Sequence, residues 1–176
     1  MTGQPRLIAR IALFSALVYV FSWAMAYLPN IGLMFFIVFT AGYIWGATAG
    51  ILVGLIGEGL FTTFNPYGPV ALPIAIAQVF GAVLCGLIGA GSRRLNLDRA
   101  RRYRLVIVLA LAGISCTIVY FAPVSIADAW LWQPFWPRLI AGLPWIAWSL
   151  VANALIFPLL FPVTLRLYRR ESTTRR

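Results

Sequence analysis

Apolar positions run almost unbroken from Leu7 to Tyr27, Ile31 to Phe61, Val70 to Gly91, Leu105 to Phe121 and Leu139 to Leu167. Runs this long with so few charges predict membrane-crossing helices, because a hydrocarbon core of about 30 Å takes roughly 20 helical residues. The run from Leu7 has the basic flank of a signal peptide, but it continues to about Tyr27 without a convincing small-residue cleavage site, so it reads as the first span. The second run is 31 residues, roughly 45 Å as a single helix, which is too long for one crossing. It divides best in "YIWGATAG", where Gly46 and Gly50 can turn the chain tightly. Each half is then short and must tilt, thin the bilayer or pack inside the bundle. The expectation is an all-α membrane protein, one membrane domain over 1–176, with spans at 7–27, 32–46, 49–62, 70–91, 105–121 and 139–167. The last span carries Pro144, Pro158 and Pro162.

Charge supplies an independent check on six. All fourteen basic residues are arginines, at Arg6 and Arg10, in Arg93 to Arg104, at Arg138 and from Arg166 onward. Counting Ile31 to Phe61 as two spans puts every arginine cluster on one side, and the positive-inside rule makes that side the cytoplasm, with both termini there. Counting it as one strands the Arg93 to Arg104 cluster outside. The expected protein is therefore multi-pass with its arginine side in the cytoplasm. Arginines at span ends mark sidedness and contact with the lipid bilayer, and no nucleic-acid partner is indicated.

The chain is 62% hydrophobic and 10% charged, with no histidine and no lysine. An H-E-x-x-H zinc site, a Ser–His pair, a Ser–Lys pair and a P-loop ATPase are thereby excluded. An intramembrane aspartyl-type site needs two facing acids within the spans, and Glu58 alone qualifies. Cys85 and Cys116 lie inside apolar runs, which indicates core thiols rather than a disulfide framework. Cys85 has no histidine or second cysteine nearby in sequence to complete a soft-metal site. No enzyme, cofactor or metal is expected.

The polar residues left inside the apolar runs need a reason. Glu58, near the outer end of the third span, would cost a few kcal/mol if uncompensated in lipid. It either faces a ligand or gate, or lies close enough to the interface to cap loop amides. Gln78 in the fourth span and Asn153 midway along the sixth are either interhelical glue or ligand contacts. By topology all three fall between the outer surface and the bilayer centre, which suggests an outward-facing pocket.

Three connections face the same side: one around Pro29 and Asn30, one from Thr62 to Pro69 and one from Ala122 to Pro137. In "NPYGP" two prolines and Gly68 shape a turn that displays Asn65 and Tyr67, unless it is a plain connector. The third, "APVSIADAWLWQPFWPR", carries Trp130, Trp132 and Trp136, either as an interfacial belt or as a lid stacking on a flat ring. Asp128 and Arg138 are candidate partners. On the first span Ala12 and Ala16 lie one turn apart, and "GATAGILVGLIGEG" repeats glycine along the third; both patterns allow close helix approach.

Taken with its size and six expected spans, the chain resembles the substrate-binding S components of energy-coupling factor vitamin transporters. The resemblance rests on Ala12-Leu-Phe-Ser-Ala16, on "GYIWGATAGILVGLIGEGLF", and on the Pro/Gly loop followed by "PIAIAQVFGAVLCGLIGAG", and is best over Ile8 to Gly91. It implies an S-component-like bundle in a bacterial or archaeal cytoplasmic membrane, one that captures a vitamin or related small molecule near the outer surface. It also implies docking, through Ala12 and Ala16, on a coupling transmembrane protein carrying two ATPase subunits, and toppling of the whole subunit to release cargo inward. On that implication Glu58, Asn65, Tyr67, Gln78, Trp130, Trp132 and Asn153 bind substrate. The rival readings are a solitary transporter on the same scaffold and a non-transport membrane scaffold protein.

Overall fold

The computed structural model describes residues 4–28 and 31–174; the connection around Pro29 and Asn30, and residues 1–3 and 175–176, lie outside the described residues. Six α-helices follow in order: α1 Gln4–Ala24, α2 Met34–Trp45, α3 Ala47–Thr63, α4 Leu72–Ser92, α5 Arg102–Leu131 and α6 Phe135–Thr174, with two single 3-10 turns between α4 and α5. Among the described residues there is no strand. Four helices, α1, α4, α5 and α6, are long and apolar enough to cross a membrane, and α2 and α3 are shorter apolar helices.

The division of the 31-residue apolar run falls at Gly46, as expected. Its φ of +93° is one an L side chain rarely adopts, and its N–H closes α2 on the Gly42 carbonyl. Gly50 does not turn the chain. It packs inside α3, where an added Cβ would lie 2.8 Å from the Gly86 backbone. At 12 residues α2 is about 18 Å long, and every residue from Met34 to Ile44 is buried, so it is surrounded by protein rather than by lipid.

Glycine sets how closely the helices approach. A Cβ on Gly42 would sit 2.0 Å from the Gly86 carbonyl oxygen, and one on Gly89 would sit 2.1 Å from that of Phe39. Helix α4 thus lies backbone to backbone against α2 and α3. Where lipid tails are as apolar as side chains, such close packing supplies much of the drive for association. Phe39 and Tyr43 of α2 meet Phe157 and Phe161 of α6 edge to face, and the Thr40 and Thr164 hydroxyls share a hydrogen bond of 2.9 Å.

The third outer connection is shorter than expected. Helix α5 continues ten residues past Phe121, through Pro123, so Ala122 to Leu131 is helix and residues 132–134 alone join it to α6. Pro123 removes one backbone donor, but in an apolar environment an unwound segment would leave many more groups unsatisfied. Helix α6 likewise runs through Pro144, Pro158 and Pro162.

The arginines gather at one end of the bundle. There Arg10 of α1 pairs with Glu171 of α6 at 2.6 Å and lies over the Trp45 ring of α2, while Arg93 lies over Tyr168. Among the described residues Arg138 is the arginine at the opposite end, paired with Asp128 through Nε and Nη2.

Candidate functional site

At the end opposite the arginine cluster, a cavity of about 490 Å³ opens among α1, the start of α2, the end of α3, the α3–α4 loop, and α4 and α5. Its polar end is built by three helices. Glu58 on α3 is 1% exposed and accepts a hydrogen bond of 2.6 Å from the Tyr120 hydroxyl of α5 through Oε1. Gln78 of α4 lies beside the same phenol. Glu58 Oε2 and Gln78 Oε1 are both buried, and neither has a hydrogen-bond partner among the described residues.

Tyr120 is held by its surroundings. Gly81 of α4 lets α5 approach so closely that a Cβ there would lie 2.6 Å from the Tyr120 Cα, and the Phe35 ring packs edge-on against the phenol at 5.0 Å. An aromatic ring fixed on both sides keeps its hydroxyl aimed at Glu58. Phe35, Phe61 and Phe121 supply the cavity's flat apolar walls.

The α3–α4 loop forms the rim. Asn65 Oδ1 accepts the Tyr67 N–H at 2.9 Å, its carbonyl accepts the Gly68 N–H at 3.2 Å, and Gly68 takes a φ of +92°. Asn65 therefore spends its side chain on shaping the turn. Tyr67 reaches across the mouth and donates its hydroxyl to the Ala26 carbonyl of the segment after α1, at 2.8 Å. Two further bonds join the loop to α1 itself: Tyr19 Oη and Trp23 Nε1 both donate to the Phe64 carbonyl, at 3.1 and 2.6 Å.

Of the residues singled out from sequence, Glu58, Asn65, Tyr67 and Gln78 line this cavity, and Asn153, Trp130 and Trp132 do not. Asn153 is fully buried between α5 and α6, where its Nδ2 donates to Thr117 Oγ1 at 3.0 Å and to the Ser149 carbonyl at 3.1 Å. It holds helices together, and no described residue of α6 lines the cavity. We expect Asn153→Ala to cost about 1 kcal/mol of stability, read as a lower melting temperature in detergent, with ligand affinity unchanged. Trp130 and Trp132 project outward, 66% and 53% exposed, because Ala122 to Leu131 is the end of a helix rather than a loop folding back over the mouth.

Tyr120 and Phe35 are the residues that sequence reasoning missed. Each is an aromatic inside an apolar run and shows no contrast with its neighbours. Tyr120 carried one usable signal, a hydroxyl that needs a partner at buried depth.

Ala12 and Ala16 are both exposed. They line a groove of about 400 Å³ between α1 and α3, with Leu52, Ile56 and Leu60 on its other wall. Their small side chains thus face outward rather than into the bundle. Three of the four glycines of α3, by contrast, serve internal packing: Gly50 and Gly54 against α4, and Gly57 against Val18 of α1.

No family model, no curated protein and no solved structure matches this chain.

Proposed function

We propose that the protein is a multi-pass membrane subunit that captures a small ring-bearing molecule, a vitamin or a compound of similar size, for uptake. The observation that carries this reading is the buried Glu58–Tyr120 pair, whose remaining carboxylate oxygen is unpartnered beside a cavity of about 490 Å³. A carboxylate kept among apolar helices at a cost of several kcal/mol is favoured where it recognises something. The volume falls within the range of small-molecule sites, and the mix of aromatic walls with a few convergent polar groups is their usual chemistry.

In this proposal the six helices form six membrane segments, with α2 and α3 as a short hairpin turning at Gly46 inside the protein. The arginine end lies in the cytoplasm of a bacterium or archaeon, and the cavity opens on the other side. The resemblance to S components extends the proposal to partners: a coupling transmembrane protein and two ATPase subunits, docking on the groove beside Ala12 and Ala16.

Native mass spectrometry of the detergent-purified protein tests the binding function. The expected spectrum contains an adduct of defined mass that is lost in Glu58→Gln. A clean spectrum from cells supplied with a broad vitamin mixture, together with no binding in a vitamin screen, would leave a scaffold role instead.

Docking has its own test. Enlarging Ala12 and Ala16 to leucine adds bulk where nothing in the bundle is displaced, so purified protein should bind its ligand as before. Cellular uptake should fall by on the order of tenfold or more, as close helix approach is lost. Undiminished uptake would favour the solitary transporter, as would failure to recover coupling subunits on co-purification.

A further inference from the structure

Resting on the binding-subunit reading, we infer that the cavity's ligand carries a positively charged nitrogen group on a flat ring, an arylamidinium or a protonated amino-heteroaromatic, and not a carboxylate or phosphate. The unpartnered polar atoms at the buried end are both acceptors: Glu58 Oε2 and Gln78 Oε1. The Tyr120 proton is already donated to Glu58 Oε1, which leaves Oε2 as the carboxylate oxygen without a partner. A group that offers one N–H to the carboxylate and another to the amide oxygen suits the remaining pair.

Charge narrows the class. Among the described residues no arginine lines the cavity. Arg138, the described arginine at that end of the bundle, is held by Asp128 in an adjoining cavity on the other side of Phe121 and Val124, with its guanidinium already paired. An anionic ligand would bring its charge to a buried carboxylate with no cation to offset it. A cation finds both a counter-charge and ring faces, Phe35, Phe61 and Phe121, which attract positive charge. The neighbouring Asn65 and Tyr67 side chains offer their polar atoms to the backbone of the rim instead.

Benzamidine, benzamide and benzoate form a nearly isosteric series that is cationic, neutral and anionic, and can be titrated into full-length protein in detergent at millimolar concentration. Benzamidine should raise the melting temperature and bind more tightly than benzamide by about tenfold, as expected for a charge-assisted bond, and benzoate should have no effect. Glu58→Gln should erase the preference for benzamidine over benzamide, and Gln78→Leu should weaken benzamidine while keeping that preference. Gel filtration of each variant checks that it folds. The class is overturned if benzamidine gives no stabilisation, if benzoate or benzamide binds as well, or if Glu58→Gln leaves benzamidine affinity unchanged. The adduct carried by the purified wild-type protein separates this failure from the failure of the binding reading. A bound molecule without a basic nitrogen removes the class alone, whereas no adduct together with no probe binding removes both.

Discussion

Gly86→Leu is expected to destroy the folded bundle. Gly86 of α4 faces both short helices: an added Cβ would lie 2.5 Å from the Gly50 carbonyl of α3, and its own carbonyl lies 2.0 Å from where a Gly42 Cβ on α2 would be. The obstructing atoms are backbone, which cannot rotate aside as a side-chain tip can. Relief requires α4 to move away from α2 and α3 together, which would also open the contacts of Gly54 with Ala82 and of Gly89 with Phe39. Overpacking of this kind costs about 3 kcal/mol or more, a large share of the roughly 5–15 kcal/mol that holds a typical domain. The expected result is an aggregated or broad gel-filtration peak in detergent, or a strongly lowered melting temperature. Gly142→Ala is the matched control, since nothing lies within 4 Å of a Cβ there. It should melt at or above the wild-type temperature, because alanine favours helix by up to about 1 kcal/mol. A Gly86→Leu protein that melts like wild type would show that the α4 contact is looser than described.

The second large effect separates binding from stability within one hydrogen-bonded pair. Glu58→Gln is expected to weaken the ligand by about 1–3 kcal/mol, the usual loss when one partner of a buried bond to a charged group is removed. The empty protein should be no less stable than wild type, because a neutral amide is easier to bury than a carboxylate. Tyr120→Phe should do the reverse to the empty protein. It leaves Glu58 without its one bond in the described protein and should lower stability by about 1–3 kcal/mol. Melting curves of the empty variants and calorimetric titration with the molecule recovered from the wild-type protein check both halves. Unchanged affinity in Glu58→Gln would remove Glu58 from the site.

What the sequence made legible followed from contrast. Arithmetic on a 31-residue apolar run required a break, and Gly46 and Gly50 were the residues that could form it; the structure turns at Gly46. Glu58 and Gln78 stood out because polar groups are costly among apolar neighbours, and both line the cavity. Contrast cannot say which way a residue faces. Asn153 stood out equally and turned out to join α5 to α6 through Thr117 and Ser149. Tyr120 and Phe35 showed no contrast with their neighbours, although the Tyr120 hydroxyl bonds the carboxylate and Phe35 packs against the Tyr120 ring. The apolar run predicts a fifth span ending at Phe121, with Ala122 to Pro137, including Pro123, as a connection. Among apolar helices unwinding leaves backbone groups unsatisfied, and α5 passes through Pro123.

The ion pair between Arg10 and Glu171 joins the first helix to the last. On the ribosome these residues are made 161 positions apart, so this ion pair closes only when nearly the whole chain has been made, whereas α1 can already meet α2 through Arg10 and Phe14 on Trp45 and α3 through Val18 on Gly57. Helices α2, α3 and α4 can already lock through their glycines by then. Assembly thus has an order written into it, with a tight glycine-packed centre early and an electrostatic clasp last. A chain truncated before Glu171 would be expected to keep the centre and lose only the direct tie between α1 and the end of α6.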